Sequence, residues 1–163
     1  MDWSERRSRF RSLLEGNECV YPASVYDPIS AQIAALSVVR LLDIMAETFD
    51  AGDSGLEANN TITRCIFRKE EEAEKVKHEV RIIWGDYFKQ PQFEAFNGTH
   101  DLVHQIMLTA SACKQGVERS SGEKLVDQVN LFAEVFWRSK EIQTVSRQCP
   151  YPPNLPTVYP LFD

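Results

Sequence analysis

The chain has 163 residues, of which 43% are hydrophobic and 26% charged, a composition typical of a globular domain and not of a disordered one. Its formal net charge of -6 disfavours nucleic acid as a partner, because phosphate binding requires a basic surface. No basic leader followed by an apolar run opens the sequence, so we expect a cytoplasmic protein. The four cysteines lack a CxxC spacing and are expected to be small core residues.

The first predicted element is a short helix from Trp3 to Leu14. Apolar residues alternate there with four arginines, which form the only basic cluster of the sequence. Such a cluster could bind an acidic partner or phosphate, or could be a solvated helix face. The arginines are Arg6, Arg7, Arg9 and Arg11.

The best-marked helix runs from Asp27 to Glu47. Asp27 suits the N-cap and Pro28 the first helical position, where a missing N–H costs nothing. Most of the helix circumference is apolar, which is typical of a helix at the centre of a bundle. Arg40 and Asp43 interrupt the apolar run, so a membrane span is not expected.

A family resemblance overlaps the start of this helix. The residues RFRSLLEGNECVYPASVYDPISAQIA, from Arg9 to Ala34, resemble the opening of the phosphoenolpyruvate mutase and isocitrate lyase superfamily, closest to its oxaloacetate decarboxylase-like branch. In that family the segment forms the first barrel strand and helix, and Ser24, Tyr26 and Asp27 match its active-site loop. The family's acidic metal-binding motifs are missing, and so is the length of ~200 or more residues that a barrel needs. The resemblance therefore implies at most a relict of such an enzyme, without its active site.

Three further helices are predicted after a turn at Asp53 to Gly55. The longest, from Thr61 to Phe88, carries a heptad-like apolar seam that Lys69 interrupts once. The next runs from Thr99 to about Lys114, and the last begins at Ser120 or Ser121. The sequence thus predicts an all-α bundle of four main helices, a single domain over residues 1–146. The seam consists of Ile62, Ile66, Ala73, Val76, Val80, Ile83 and Tyr87.

Residues 147–163 form a proline-rich tail. Five prolines in this stretch disfavour helix and strand pairing, so we expect a polyproline-like or irregular segment packed on the bundle. Arg147, Pro150 and Pro153 also match the R-x-x-P-x-x-P spacing of peptides that bind SH3 domains, a pattern that is common by chance.

Two patterns are weak candidates for a metal site. His100 and His104 share one helix face at the i, i+4 spacing of zinc sites, with Asp101 between them. The dipeptide His100 and Asp101 also permits comparison with HD-type phosphohydrolases, with His78 upstream and Asp127 downstream as further ligands. The simpler interpretation is that these are polar residues on an amphipathic helix.

The second pattern is EExxE, formed by Glu70, Glu71 and Glu74. Paired carboxylates on one helix face bind Mg²⁺ in helical nucleotide pyrophosphohydrolases. The partner motif ExxD is not matched, because Glu123 and Asp127 are one residue too far apart. The run of alternating charges is equally typical of a solvated face.

The sequence therefore favours a non-catalytic protein-interaction or self-assembling module over an enzyme. We expect a homodimer, possible protein partners, no cofactor and no membrane contact. The alternative is a small metal-dependent hydrolase of the nucleotide pyrophosphohydrolase or HD type, using the weak metal candidates above.

Overall fold

The computed structural model describes residues 27–52 and 54–162, and within these ranges it contains five α-helices and a two-stranded β-hairpin. The helix predicted from Trp3 to Leu14, with its arginines, lies outside the described residues. The elements in chain order are α1 (Ile29–Asp50), α2 (Leu56–Ile82), a π-helical turn (Ile83–Tyr87), α3 (Gln90–Ala95), α4 (Thr99–Gln115), α5 (Arg119–Arg138), β1 (Thr144–Gln148) and β2 (Pro156–Pro160).

The four long helices form a closed bundle. Helix α1 packs against α2 and α5, and α4 packs against the same two helices from the other side. Each long helix therefore has two long neighbours, and their apolar faces meet in one core cluster. The prediction of an all-α bundle of four main helices is confirmed.

Helix α1 supplies the apolar centre of the bundle. Asp27 accepts a hydrogen bond through Oδ1 from the backbone N–H of Ile29 at 2.8 Å, as a residue at a helix start does. The helix continues to Asp50 and is also long and apolar enough to cross a membrane, a test that buried core helices pass as well. Its buried residues are Ala31, Gln32, Ala34, Ala35, Leu36, Val38, Val39, Leu42 and Met45.

A glycine allows α5 to approach α1 closely. A Cβ on Gly122 would lie 2.9 Å from Cγ2 of Val39 and 3.1 Å from Cδ1 of Leu42, nearer than carbon atoms normally pack. The start of α5 therefore lies directly on the middle of α1.

Helix α2 buries a seam that differs from the predicted one in its first half. Ile66 is 40% exposed, whereas Cys65 and Lys69 point into the bundle and are 6% and 2% exposed. From Ala73 to Ile83 the predicted seam residues are buried as expected, and Tyr87 is half-buried. Lys69, which the apolar pattern treats as an interruption, is therefore part of the seam.

The buried ammonium group of Lys69 closes the C-terminus of α4. Its Nζ donates hydrogen bonds to the backbone carbonyls of Cys113 at 2.6 Å, Lys114 at 3.1 Å and Gly116 at 2.6 Å. All three ammonium donors are thus used on carbonyls at the end of a helix, which have no partners within it. Desolvation lowers the pKa of Lys69, while the partial negative charge at this helix end favours the charged form.

The proline-rich tail forms a β-hairpin, so the expectation that it would not pair as strands is wrong. Strands β1 and β2 are antiparallel, with Thr144 opposite Pro160 and Gln148 opposite Pro156. The two prolines stand at the ends of β2, and a two-stranded sheet has only edge strands, where a missing N–H is tolerated. Arg147 lies within β1 and is exposed.

Two buried amides fix the hairpin to the bundle. Gln32 of α1 donates to Asn130 Oδ1 at 3.0 Å and to the Val158 carbonyl at 2.9 Å. Asn130 of α5 donates to the Pro156 carbonyl at 2.7 Å and accepts from the Val158 N–H at 3.2 Å. Both side chains are buried, and without the hairpin each would lose its bonds to the backbone of β2 and keep only the bond between the two amides.

We predict that Lys69→Met lowers the free energy of unfolding by about 1–3 kcal/mol, because it leaves the α4 carbonyls buried without donors. Lys75→Met, at an exposed position of the same helix, is the control and should change stability by less than about 0.5 kcal/mol. Urea denaturation followed by circular dichroism measures both. Equal stabilities of the two variants would contradict the role assigned to Lys69.

Candidate functional site

Two carboxylates of the EExxE pattern, those of Glu71 and Glu74, form ion pairs with basic side chains of this chain. Arg68 pairs with Glu71 at 2.9 Å and with Glu72 at 2.7 Å. Glu74 pairs with Arg81 and Lys114, each at 3.2 Å. The Lys114 hydrogen bond contributes most to lowering the pKa of Glu74. These contacts are those of a salt-bridged helix surface, and the positive charge that a Mg²⁺ ion would supply is already present.

Glu70 and His78 lie on the same helix but line different grooves. His78 shares its groove with Glu71 and Glu72, whose carboxylates are already paired with Arg68. Glu70 is exposed beside a groove that Lys77 and Lys114 also line. His78 is exposed in a separate shallow groove beside Glu74 and Arg81. The downstream acids are apart as well: Glu123 forms an ion pair with Arg119, and Asp127 is exposed.

His100 belongs to an aromatic cluster made with Trp84 and Phe93. Its ring stacks on Phe93 with 4.0 Å between the ring centroids, and Trp84 donates from Nε1 to His100 Nδ1 at 3.1 Å. Nδ1 therefore carries no proton in this contact, and it is already occupied as an acceptor. Trp84 lies in the π-helical turn that follows α2. The Phe88 N–H closes this turn by donating to the Ile83 carbonyl at 3.3 Å.

The remaining members of the HDLVH pattern do not complete a metal site. Asp101 and His104 are both exposed on the first turns of α4. Across residues 27–52 and 54–162, no three side chains of His, Cys, Asp or Glu lie together in a way that could hold a metal ion. The weak metal candidates from the sequence are therefore spread over separate surfaces.

The three cysteines in the described ranges are free thiols in the interior. Burial is the largest cause that raises the pKa of Cys65, and it raises the pKa of Cys113 to about 11. Cys149 is fully buried and donates from Sγ to the carbonyl of Tyr151 at 3.1 Å. All three are core residues. Cys19, Ser24 and Tyr26 lie outside the described residues.

An open groove lies between α1 and α2. It has a volume of about 740 Å³ and is lined by Leu41, Ile44 and Phe67 together with the guanidinium groups of Arg64 and Arg68. Phe67 is 68% exposed and stands over the groove. The groove contains no catalytic acid or base and is best described as an apolar surface with a basic border.

Comparison with known proteins gives a family that none of these local patterns indicated. The profile of the family described as nickel-containing superoxide dismutase matches residues 16–140, which include all four long helices. The superoxide dismutase [Ni] of Streptomyces coelicolor is 35% identical over 123 residues, 76% of this chain and 88% of that protein.

A solved structure agrees with the sequence match. The native structure of a nickel superoxide dismutase superposes with a TM-score of 0.63 at 35% sequence identity, covering 76% of this chain and 99% of that one. The family profile ends at residue 140, so the β1–β2 hairpin lies beyond the matched region.

The resemblance to the phosphoenolpyruvate mutase and isocitrate lyase superfamily was the wrong family assignment. An oxaloacetate decarboxylase of Rhodopseudomonas palustris is 59% identical, but only over 34 residues, 21% of this chain and 12% of that protein. The superoxide dismutase match covers several times that length and agrees with the fold. The decarboxylase likeness is a short, incidental match.

We predict that Cys65, Cys113 and Cys149 of the native protein do not react with iodoacetamide at pH 8, because each is buried. Burial also raises the pKa of Cys65 and Cys113, which lowers their thiolate fraction further. Mass spectrometry of tryptic peptides would quantify the alkylation at each position and count Cys19 separately. The same peptides from protein in guanidinium chloride provide the control and should be fully alkylated. Alkylation of native Cys113 at the unfolded rate would contradict its placement in the core.

Proposed function

Because the chain belongs to the nickel-containing superoxide dismutase family, we propose that it is an enzyme that catalyses the disproportionation of superoxide. The single observation that carries the proposal is the continuous match over residues 16–140, which includes the whole bundle. A solved nickel superoxide dismutase with the same helical arrangement supports it.

The family match corrects the function inferred from the sequence. A non-catalytic interaction module, a small metal-dependent hydrolase and a relict of a lyase-like enzyme were all wrong, and so was the expectation of a non-enzyme. The error has a physical origin: the signature of this family in the described residues is the packing of a bundle, and no compact catalytic motif marks it.

Disproportionation places a definite demand on the protein. One superoxide ion is oxidised to dioxygen and gives up an electron, and a second accepts that electron with two protons to become hydrogen peroxide. The reaction therefore needs a group that alternates between two oxidation states, and cofactors normally supply this chemistry. Across residues 27–52 and 54–162 no group of three potential metal ligands lies together, which directs attention to residues outside these ranges.

The activity is tested on the untagged full chain by its inhibition of cytochrome c reduction in a superoxide-generating system. We expect inhibition that rises with protein concentration and disappears when the same sample is heat-denatured. With xanthine oxidase as the source of superoxide, its rate of urate production is measured in parallel. An unchanged urate rate shows that the protein does not inhibit the source itself. Native protein that inhibits no more than denatured protein would overturn the proposal.

We also propose that the chain self-associates, with a homodimer as the smallest closed unit. Large apolar side chains remain outside the core on α1 and α2: Phe49 is 77% exposed, Leu56 86% and Phe67 68%. Large exposed apolar side chains on two neighbouring helices favour an interface, and pairing about a twofold axis is the commonest closed arrangement.

Light scattering on the purified chain should therefore give a mass of at least a dimer, and Phe67→Glu should lower it because a charge would be buried in the contact. Leu131→Glu is the control: Leu131 is 51% exposed on α5, which packs on the other side of α1. A mass of 18.7 kDa for the unmodified chain would contradict self-association. An unchanged mass in Phe67→Glu would place the contact elsewhere.

A further inference from the structure

The family description names nickel, and a protein that binds nickel needs side chains of suitable chemistry. Imidazole nitrogen suits nickel, and thiolates are the soft ligands that proteins offer to transition metals, whereas carboxylates and carbonyls suit Mg²⁺, Ca²⁺ and Mn²⁺. The chain has three histidines and four cysteines in total. Whether they fit a nickel site depends on where the fold puts them.

The fold does not bring the three histidines together in one site. His78 lies on the outer face of α2, while His100 and His104 lie on the first turns of α4. His100 has its Nδ1 occupied by Trp84 and one ring face covered by Phe93. No set of three potential ligands forms around any of them within residues 27–52 and 54–162.

The fold also places three of the four thiols in the interior, on different elements. Cys65, Cys113 and Cys149 are 6%, 1% and 0% exposed and lie on α2, on α4 and directly after β1. Binding a metal would require each thiol to lose its proton in the interior, which the raised pKa values of Cys65 and Cys113 oppose. Cys113 further lies at the helix end where Lys69 binds the backbone carbonyls.

Residues 1–26 contain the one remaining cysteine of the chain. Their sequence has one cysteine, Cys19, and no histidine; its other ionised acceptors are the carboxylates of Asp2, Glu5, Glu15 and Glu18. One thiolate among carboxylates is a poor match to nickel, because most of the set is hard oxygen. The residues of this chain therefore do not form a ligand set that suits nickel, the metal in the family description.

We infer that this chain has the fold of the nickel-containing superoxide dismutases but does not bind nickel stably with its own side chains. The inference rests on the positions of the histidines and cysteines and on the sequence before Asp27. It does not depend on the proposed dismutase activity, which concerns the reaction and not the identity of the metal.

The test is the metal content of the full chain, produced without a histidine tag in medium supplemented with nickel. The protein is dialysed against a chelator, passed over a gel-filtration column and analysed by inductively coupled plasma mass spectrometry. The Streptomyces coelicolor relative, treated identically, is the positive control. We expect nickel at the background level in this chain and stoichiometric nickel in the control.

A second measurement excludes loss of metal during purification. Thermal unfolding is followed with and without added nickel, for the unmodified chain and for Cys19→Ser. We expect no rise in Tm with nickel for either protein, since a metal that binds only the folded state would stabilise it. Chelator-resistant nickel in fixed proportion to protein, or a nickel-dependent rise in Tm that Cys19→Ser abolishes, would overturn the inference.

The dismutase assay on the same preparation separates this inference from the proposed function. Absent nickel with measurable dismutation supports both and assigns the electron transfer to another group. Absent nickel with no dismutation supports the inference and overturns the proposed function. Bound nickel overturns the inference whatever the activity.

Discussion

The buried ammonium group of Lys69 determines how α2 and α4 fit together. A charge in the interior is tolerated only where its donors are satisfied, and here three carbonyls at one helix end satisfy all of them. Since those carbonyls belong to Cys113, Lys114 and Gly116, the contact fixes the register of α2 against the end of α4 and the turn that leads into α5. The aliphatic stem of the lysine fills the seam between Cys65 and Ala73.

A second polar contact connects the C-terminal hairpin with the bundle. Gln32 and Asn130 lie on neighbouring long helices, and their amides bind each other and the backbone of β2. Trp137 of α5 adds an edge-to-face contact with Phe162 just beyond the hairpin. The hairpin lies outside the region that the family profile matches, yet two buried side chains of the bundle depend on it. The hairpin and the bundle are thus connected by buried hydrogen bonds.

Fold and chemistry separate clearly in this protein. The bundle, its helix order and its identity to solved relatives establish the family, while the histidines and cysteines of the described ranges are committed to stacking, to the core or to solvent. A fold can be retained while the site it carries changes, so the function has to be argued from the ligands and tested on them. The sequence before Asp27 is important for that argument, because residues 27–52 and 54–162 contain no metal cluster.

The sequence by itself determined the number and order of the four long helices, because local chemistry separates them: Asp27 and Pro28 start α1, and glycines break the chain before α4 and α5. The predicted start of α2 at Thr61 was wrong, since the helix begins at Leu56. It could not show that Lys69 belongs to the seam, since that depends on carbonyls more than forty residues away. It also gave no sign of strand pairing in the tail. Proline is allowed in a strand only where its missing N–H faces an unpaired edge, and the tertiary structure decides which edge that is. The spacing of His100 and His104 predicted a shared face correctly, but only the tertiary structure decides whether a third ligand reaches that face, and in the described residues none does.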